Sequence, residues 1–239
     1  MRFRIFSIPV RVDVTFLVIA LLGNFRDLSL IVAWTVAAFV AVLAHELGHA
    51  LTVRAFGIRK VAVTLFALGG VTTYPAEPRL SPGRQFLVSA SGSLVGIAVG
   101  GAAFLAGRAG VFDGADDVVV VFMSSLVWIG AVLGLANWLP IRPLDGGQML
   151  ASALELVTTQ QRADMIATVT SLIAGAVAAV LAFIYLTAFA GFFVVLITVM
   201  GLQSSGAWRR MRASRRRPAA PTPAPPAAGP DEDPDSFPI

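Results

Sequence analysis

From Met165 to Trp208 the chain runs for 44 residues without one Asp, Glu, Lys or Arg. A helix on the surface of a soluble domain keeps charged and polar side chains on its outer face, so a run of this length has no place there. A hydrocarbon core about 30 Å thick is crossed by about 20 apolar helical residues. The run therefore reads as two membrane spans with a turn near Ala188–Gly191. Leu28 to Ala44, Gln85 to Gly107 and Val118 to Ile141 are uncharged as well. A shorter apolar run, Val14 to Gly23, follows Asp13 and Thr15, either of which can cap a helix. The expectation is six spans, over residues 14–26, 28–53, 85–107, 118–140, 165–186 and 189–207.

Composition agrees with this reading. The chain is 56% hydrophobic and 13% charged, against about 25% charged in a soluble domain. Its mean hydropathy is +0.79. No cysteine is present, which excludes disulfides, thiolate zinc sites and cysteine nucleophiles. The predicted fold class is an all-α polytopic membrane protein of about six transmembrane helices. Residues 1–208 form its one domain.

Two stretches are not simple spans. Ile58 to Tyr74 is rich in β-branched residues and carries a Gly-Gly pair, which predicts a hairpin. Backbone of that kind is tolerated near a bilayer only when it is buried in protein or lines a polar cavity. A small membrane-associated sheet beside the functional site is therefore expected, and Phe3–Val14 reads as a further short strand. After residue 208 the chain turns basic, then Pro/Ala-rich and acidic, so residues 209–239 read as a disordered tail. Residues 1–24 have a basic start and an apolar run but no clean small-x-small cleavage site, so they read as retained rather than as a signal peptide.

The pI is near 10.6, yet six arginines lie between Arg209 and Arg217, directly after the last apolar run. That placement marks a membrane flank rather than a nucleic-acid surface, and no nucleic-acid partner is expected. With six spans, 16 of the 18 basic residues fall on the side of the two termini, leaving Arg26 and Arg108 opposite. The excess of positive charge on the inner side predicts cytoplasmic termini in a multi-pass protein of the cell membrane.

Ionisable groups inside spans are costly and mark function by default. His45-Glu46-Leu47-Gly48-His49 lies near the end of the second span and holds the only two histidines of the chain. On a helix, positions i and i+4 share one face, so both imidazoles can meet one ion. HExxH is the pattern in which two histidines bind zinc and the glutamate serves as general base. The bland alternative, a histidine hydrogen-bonded between helices, does not account for two histidines flanking a glutamate. A catalytic zinc has three protein ligands. The third donor comes from Glu77, Asp145, Glu155 or Asp164. Asp145 is favoured because Pro140 and Pro143 break the helix ahead of it and Gly146-Gly147 permit a tight turn; the alternative is an aspartate that caps a loop.

HELGH in one span, with NWLPIRPLDGG about 90 residues later, resembles the site-2 protease family of intramembrane zinc metalloproteases. The resemblance covers roughly Arg4 to Met149. It implies one zinc ion per chain held by His45, His49 and Asp145, with Glu46 activating water. It further implies that Asn137 assists the substrate carbonyl and that the strand through Leu68, Gly69 and Gly70 pairs with an unwound substrate. The implied substrate is a single-pass transmembrane protein, such as an anti-sigma factor or similar regulator, cleaved in the cytoplasmic half of the bilayer during regulated proteolysis. No PDZ insertion separates the two motifs. The competing classes are a metal-binding membrane transporter, which would need midplane ligands and repeated halves, and a catalytically inactive scaffold, which would have lost Glu46 or a ligand. Gly92, Gly96 and Gly100 form a GxxxGxxxG row that predicts close helix packing in the core.

Overall fold

The computed structural model describes residues 1–23, 27–185 and 187–204; the tail expected at 209–239 and the end of the first span at 24–26 lie outside them. The chain opens with two strands, β1 (Arg2–Ile5) and β2 (Ile8–Val12). A 3-10 helix over Val14–Gly23 follows, then α1 (Leu28–Ala55). β3 (Ala62–Phe66) and β4 (Gly69–Thr73) form the predicted hairpin. The remaining elements are α2 (Pro82–Arg108), α3 (Asp117–Ala136), α4 (Asp145–Glu155), α5 (Gln160–Tyr185) and α6 (Ala188–Ser204). The architecture is mostly helical with one small sheet, as expected.

Among the described residues, α1, α2, α3 and α5 are long and apolar enough to cross a membrane. The Val14–Gly23 helix and α6, at 10 and 17 residues, are shorter. Helix ends follow local chemistry. Asp27 caps α1 by accepting from Ser29 N–H at 2.7 Å and from its hydroxyl, and these hydrogen bonds hold the Asp27 carboxyl below its ordinary range. Asp13 does the same for Thr15 at the start of the 3-10 helix, and Asp116 caps α3 through Val119 N–H. α5 buries Ala163, Ala167, Ser171, Gly175, Ala179 and Ala182, a stripe of small residues along which helices approach closely.

The sheet has the order β1-β2-β3-β4. β1 and β2 are antiparallel, β2 and β3 parallel, β3 and β4 antiparallel. The single strand expected over Phe3–Val14 is thus a hairpin. Its turn residues, Phe6 and Ser7, have φ of 47° and 65°, a left-handed conformation that neither residue type advertises in a sequence. Ile8, Val10, Val63 and Leu65 are buried with Ala50 and Val53 of α1 in the main core. Side chains alternate across a strand. The register therefore puts Val10, Val63 and Thr72 in one row facing α1, and Val12, Leu65 and Gly70 in the next.

A second difference lies after α3. Gly146 and Gly147 do not form a tight turn; they occupy the first turn of α4. A Cβ on Gly146 would overlap the Trp138 and Leu139 carbonyls, and one on Gly147 would come within 2.8 Å of Arg142 N. The pair lets the 137–144 loop lie flat against the new helix, which offsets the poor helix propensity of glycine.

Candidate metal centre

α1 brings His45 and His49 to one face, both less than 10% exposed, with Nε2 atoms 3.1 Å apart. Asp145, in the first turn of α4, meets both. Its Oδ2 lies 3.2 Å from His45 Nε2 and its Oδ1 3.3 Å from His49 Nε2. Ligand atoms about 2.0–2.1 Å from a tetrahedral zinc lie about 3.3 Å from one another. The three donors already stand near that spacing, so the residues fit the ion, and two imidazole lone pairs facing each other are otherwise unfavourable. His49 Nδ1 donates to the Val88 carbonyl at 2.7 Å, which leaves Nε2 as the free donor of electrons. Ser93, fully buried on α2, donates its hydroxyl to Asp145 Oδ2 at 3.2 Å. His45 Nδ1 is buried without a hydrogen-bond partner among the described residues.

Glu46, one position round the helix, is 5% exposed. Thr72 on β4 donates its hydroxyl to Glu46 Oε2 at 2.7 Å and lies 3.0 Å from the Glu46 carbonyl. Gly70, two residues back on the same strand face, sits against the glutamate; a Cβ there would come 2.7 Å from Oε1. Three glycines make room elsewhere. Gly92 lies against the His49 ring, Gly96 near His45 Nδ1 and the Gly130 carbonyl, and Gly100 against the α3 backbone. The GxxxGxxxG row thus packs α2 onto α1 and α3, and two of its three members border the histidines.

Of the four acidic residues considered for the third donor, only Asp145 joins the histidines in a three-donor group. Glu155 pairs with Arg79 at 2.6 Å and Asp164 with Arg142 at 3.0 Å, while Glu77 is exposed. Asn137 caps the end of α3, half-buried, and its carbonyl accepts from Gly146 N–H at 2.5 Å. That bond holds Asn137 beside the turn that carries Asp145. Leu68 and Gly69 form the end of the β3–β4 hairpin, Gly69 with φ of 125°; Gly70 is the member of this trio that reaches Glu46. Sequence reasoning missed Val88, Ser93, Thr72 and Arg142. Val88 acts through a backbone carbonyl and Ser93 is one of several small residues on α2, so neither carries a signal of residue type.

Comparison with known proteins bears on the family resemblance and the fold. The model of peptidase family M50 matches residues 105–182, a segment that includes Asn137 and Asp145. Over 140 residues the chain is 33% identical to Rip3 of Mycobacterium tuberculosis, whose name describes a zinc metalloprotease; the match covers 55% of this chain and 35% of that protein. It is 26% identical over 157 residues to a zinc metalloprotease of Methanocaldococcus jannaschii, covering 64% of this chain and 44% of the other. The chain thus spans between a third and a half of the length of these relatives. The solved site-2 protease from Methanocaldococcus jannaschii superposes with a TM-score of 0.61 at 21% identity, covering 84% of this chain and 94% of that one. The chain has the site-2 protease fold, and the resemblance drawn from HELGH and NWLPIRPLDGG is borne out.

Proposed function

We propose that this chain is an intramembrane zinc endopeptidase that cleaves a transmembrane segment in the cytoplasmic half of the bilayer. The observation that carries the reading is the convergence of His45 Nε2, His49 Nε2 and the Asp145 carboxylate, with Glu46 buried alongside. These three residues would hold the ion. A bound zinc supplies Lewis acidity, which lowers the pKa of a water molecule and polarises a carbonyl. Glu46 takes the proton of the attacking water and later delivers it to the leaving amine. Thr72 orients that carboxylate through Oε2, leaving Oε1 beside Gly70, where no side chain intrudes. Asn137 donates a hydrogen bond to the scissile carbonyl oxygen as charge develops there.

β4 is an edge strand, and an extended peptide can add to such an edge through main-chain hydrogen bonds. A substrate paired along Gly69–Thr73, with Leu68 at the hairpin tip, would run past Glu46. This favours a substrate helix that unwinds, as in a single-pass membrane protein cleaved during regulated proteolysis, an anti-sigma factor or similar regulator being one such class. Six spans at the predicted boundaries would put both termini in the cytoplasm of a cell-membrane protein. His45, 17 residues into α1, then lies about 25 Å from the outer end of that helix, close to the cytoplasmic boundary.

The test is Glu46→Gln in the purified chain and in membranes. It retains zinc and abolishes cleavage, and a single-pass protein accumulates in the variant membranes. Full proteolytic activity in Glu46→Gln would remove the endopeptidase reading.

A further inference from the structure

The guanidinium of Arg142 is nearly buried, between two prolines in the loop that leads to Asp145. It pairs with Asp164 of α5 at 3.0 Å, and its Nε is buried without a hydrogen-bond partner among the described residues. The backbone of the same residue is fixed too. Arg142 N–H donates to Ser171 Oγ at 3.1 Å, and Ser171, fully buried, donates in turn to Ala167 O. Asp164 and Ser171 are seven residues apart, two turns along one face of α5. Arg142 is therefore held at both ends, by side chain and by main chain, to one rigid helix. Gly147 packs against its amide and Gly201 against its carbonyl.

A buried ion pair seldom stabilises a protein more than an apolar pair of the same volume, because desolvation offsets the attraction. One with an unpartnered Nε does so even less. The pair is better explained by what it locates. Three residues beyond Arg142 stands Asp145, whose carboxylate would have to reach one ion together with two histidines of a different helix, each within a few tenths of an ångström. A second ion pair, Arg79–Glu155, lies at the far end of α4, but there the arginine is half-exposed, where such pairs contribute little.

We propose that Arg142 is a positioning residue that sets Asp145 against His45 and His49 by anchoring the 137–144 loop to α5, through Asp164 and Ser171. The inference rests on the zinc reading above. Its test uses the full purified chain, with zinc affinity measured by competition against a chromophoric chelator and the melting temperature measured without metal. In Arg142→Met/Asp164→Leu both charges go and apolar side chains fill the space they leave. The expected result is a metal-free melting temperature close to wild type and zinc affinity lowered about tenfold or more, the scale of lost outer-shell support. Wild-type affinity in this variant overturns the proposal. If the double variant does not fold, Asp164→Asn replaces it, with the same affinity criterion. Arg79→Gln should change affinity less than about twofold, the scale of an exposed pair; a loss equal to that of the double variant would mean that any loosening of α4 suffices, and would also overturn it. A wild-type chain that binds no zinc defeats the zinc reading itself, an outcome distinct from an unaffected variant.

Discussion

Gly92→Ala adds a single methyl against His49, a candidate metal donor. An added methyl at this position lies within 2.7 Å of His49 Cδ2 and closer still to Nε2, the atom facing Asp145. Ordinary carbon contacts begin at about 3.5 Å, so the ring or α2 must retreat by roughly 0.8 Å or more on those contact distances. His49 cannot simply rotate away, because its Nδ1 is tied to the Val88 carbonyl on α2 itself. Helix retreat meets a second obstacle, since α2 is already packed closely on α3, where a Cβ on Gly130 would come 2.7 Å from the Gly96 carbonyl and one on Gly134 3.2 Å from the Ser93 carbonyl. Overpacking of this kind costs about 1–3 kcal/mol. A donor displaced by much more than about 0.2 Å no longer matches a metal site, so zinc affinity should fall by about 10–100-fold, comparable to losing outer-shell support. Chelator competition and thermal melting measure the two effects. Gly101→Ala is the control on the same helix, because a Cβ there meets nothing within 4 Å and should stabilise by up to about 1 kcal/mol. If Gly92→Ala binds zinc as wild type does and melts no lower, the packing of α2 onto His49 is not as described.

Two further outcomes follow from the site and the spans. Gly70→Ala pushes a methyl against Glu46 and should lower kcat at least tenfold while zinc stays bound, read by turnover and metal content together; unchanged turnover would separate β4 from the chemistry. In this cysteine-free chain, Glu77→Cys should react with a membrane-impermeant thiol reagent only from the cytoplasmic face, and Asp113→Cys only from outside; the reverse pattern would invert the topology.

The candidate metal donors were legible in the sequence because charge inside an apolar chain is conspicuous and because HExxH maps onto one helical face. Asp145 stood out by its motif, and the β3–β4 hairpin by its β-branched residues and Gly-Gly pair. What escaped was the part written in backbone geometry. The Phe6–Ser7 turn uses left-handed residues without glycine or asparagine. α4 carries two glycines in its first turn, a sequence that reads as a tight turn until the loop lying against it is seen. Val88 and Ser93 look like any other residues of an apolar helix, and the partner of Arg142 lies 22 residues further on, across a helix boundary.

The alternation along β4 makes the setting of Glu46 a matter of parity. Gly70 and Thr72 face it, one without bulk and one with a hydroxyl, while Gly69 and Val71 face away. A slip of one residue against β3 would turn Val71 inward together with Thr73, setting a branched side chain beside the glutamate where Gly70 now leaves space. A slip of two restores the parity but moves Thr72 by about 7 Å along the strand. No intermediate setting exists, so the orientation of the glutamate cannot be graded by sliding the strand. Insertions or deletions within Gly69–Thr73 should abolish it outright, and variation there is confined to exchanging one side chain for another.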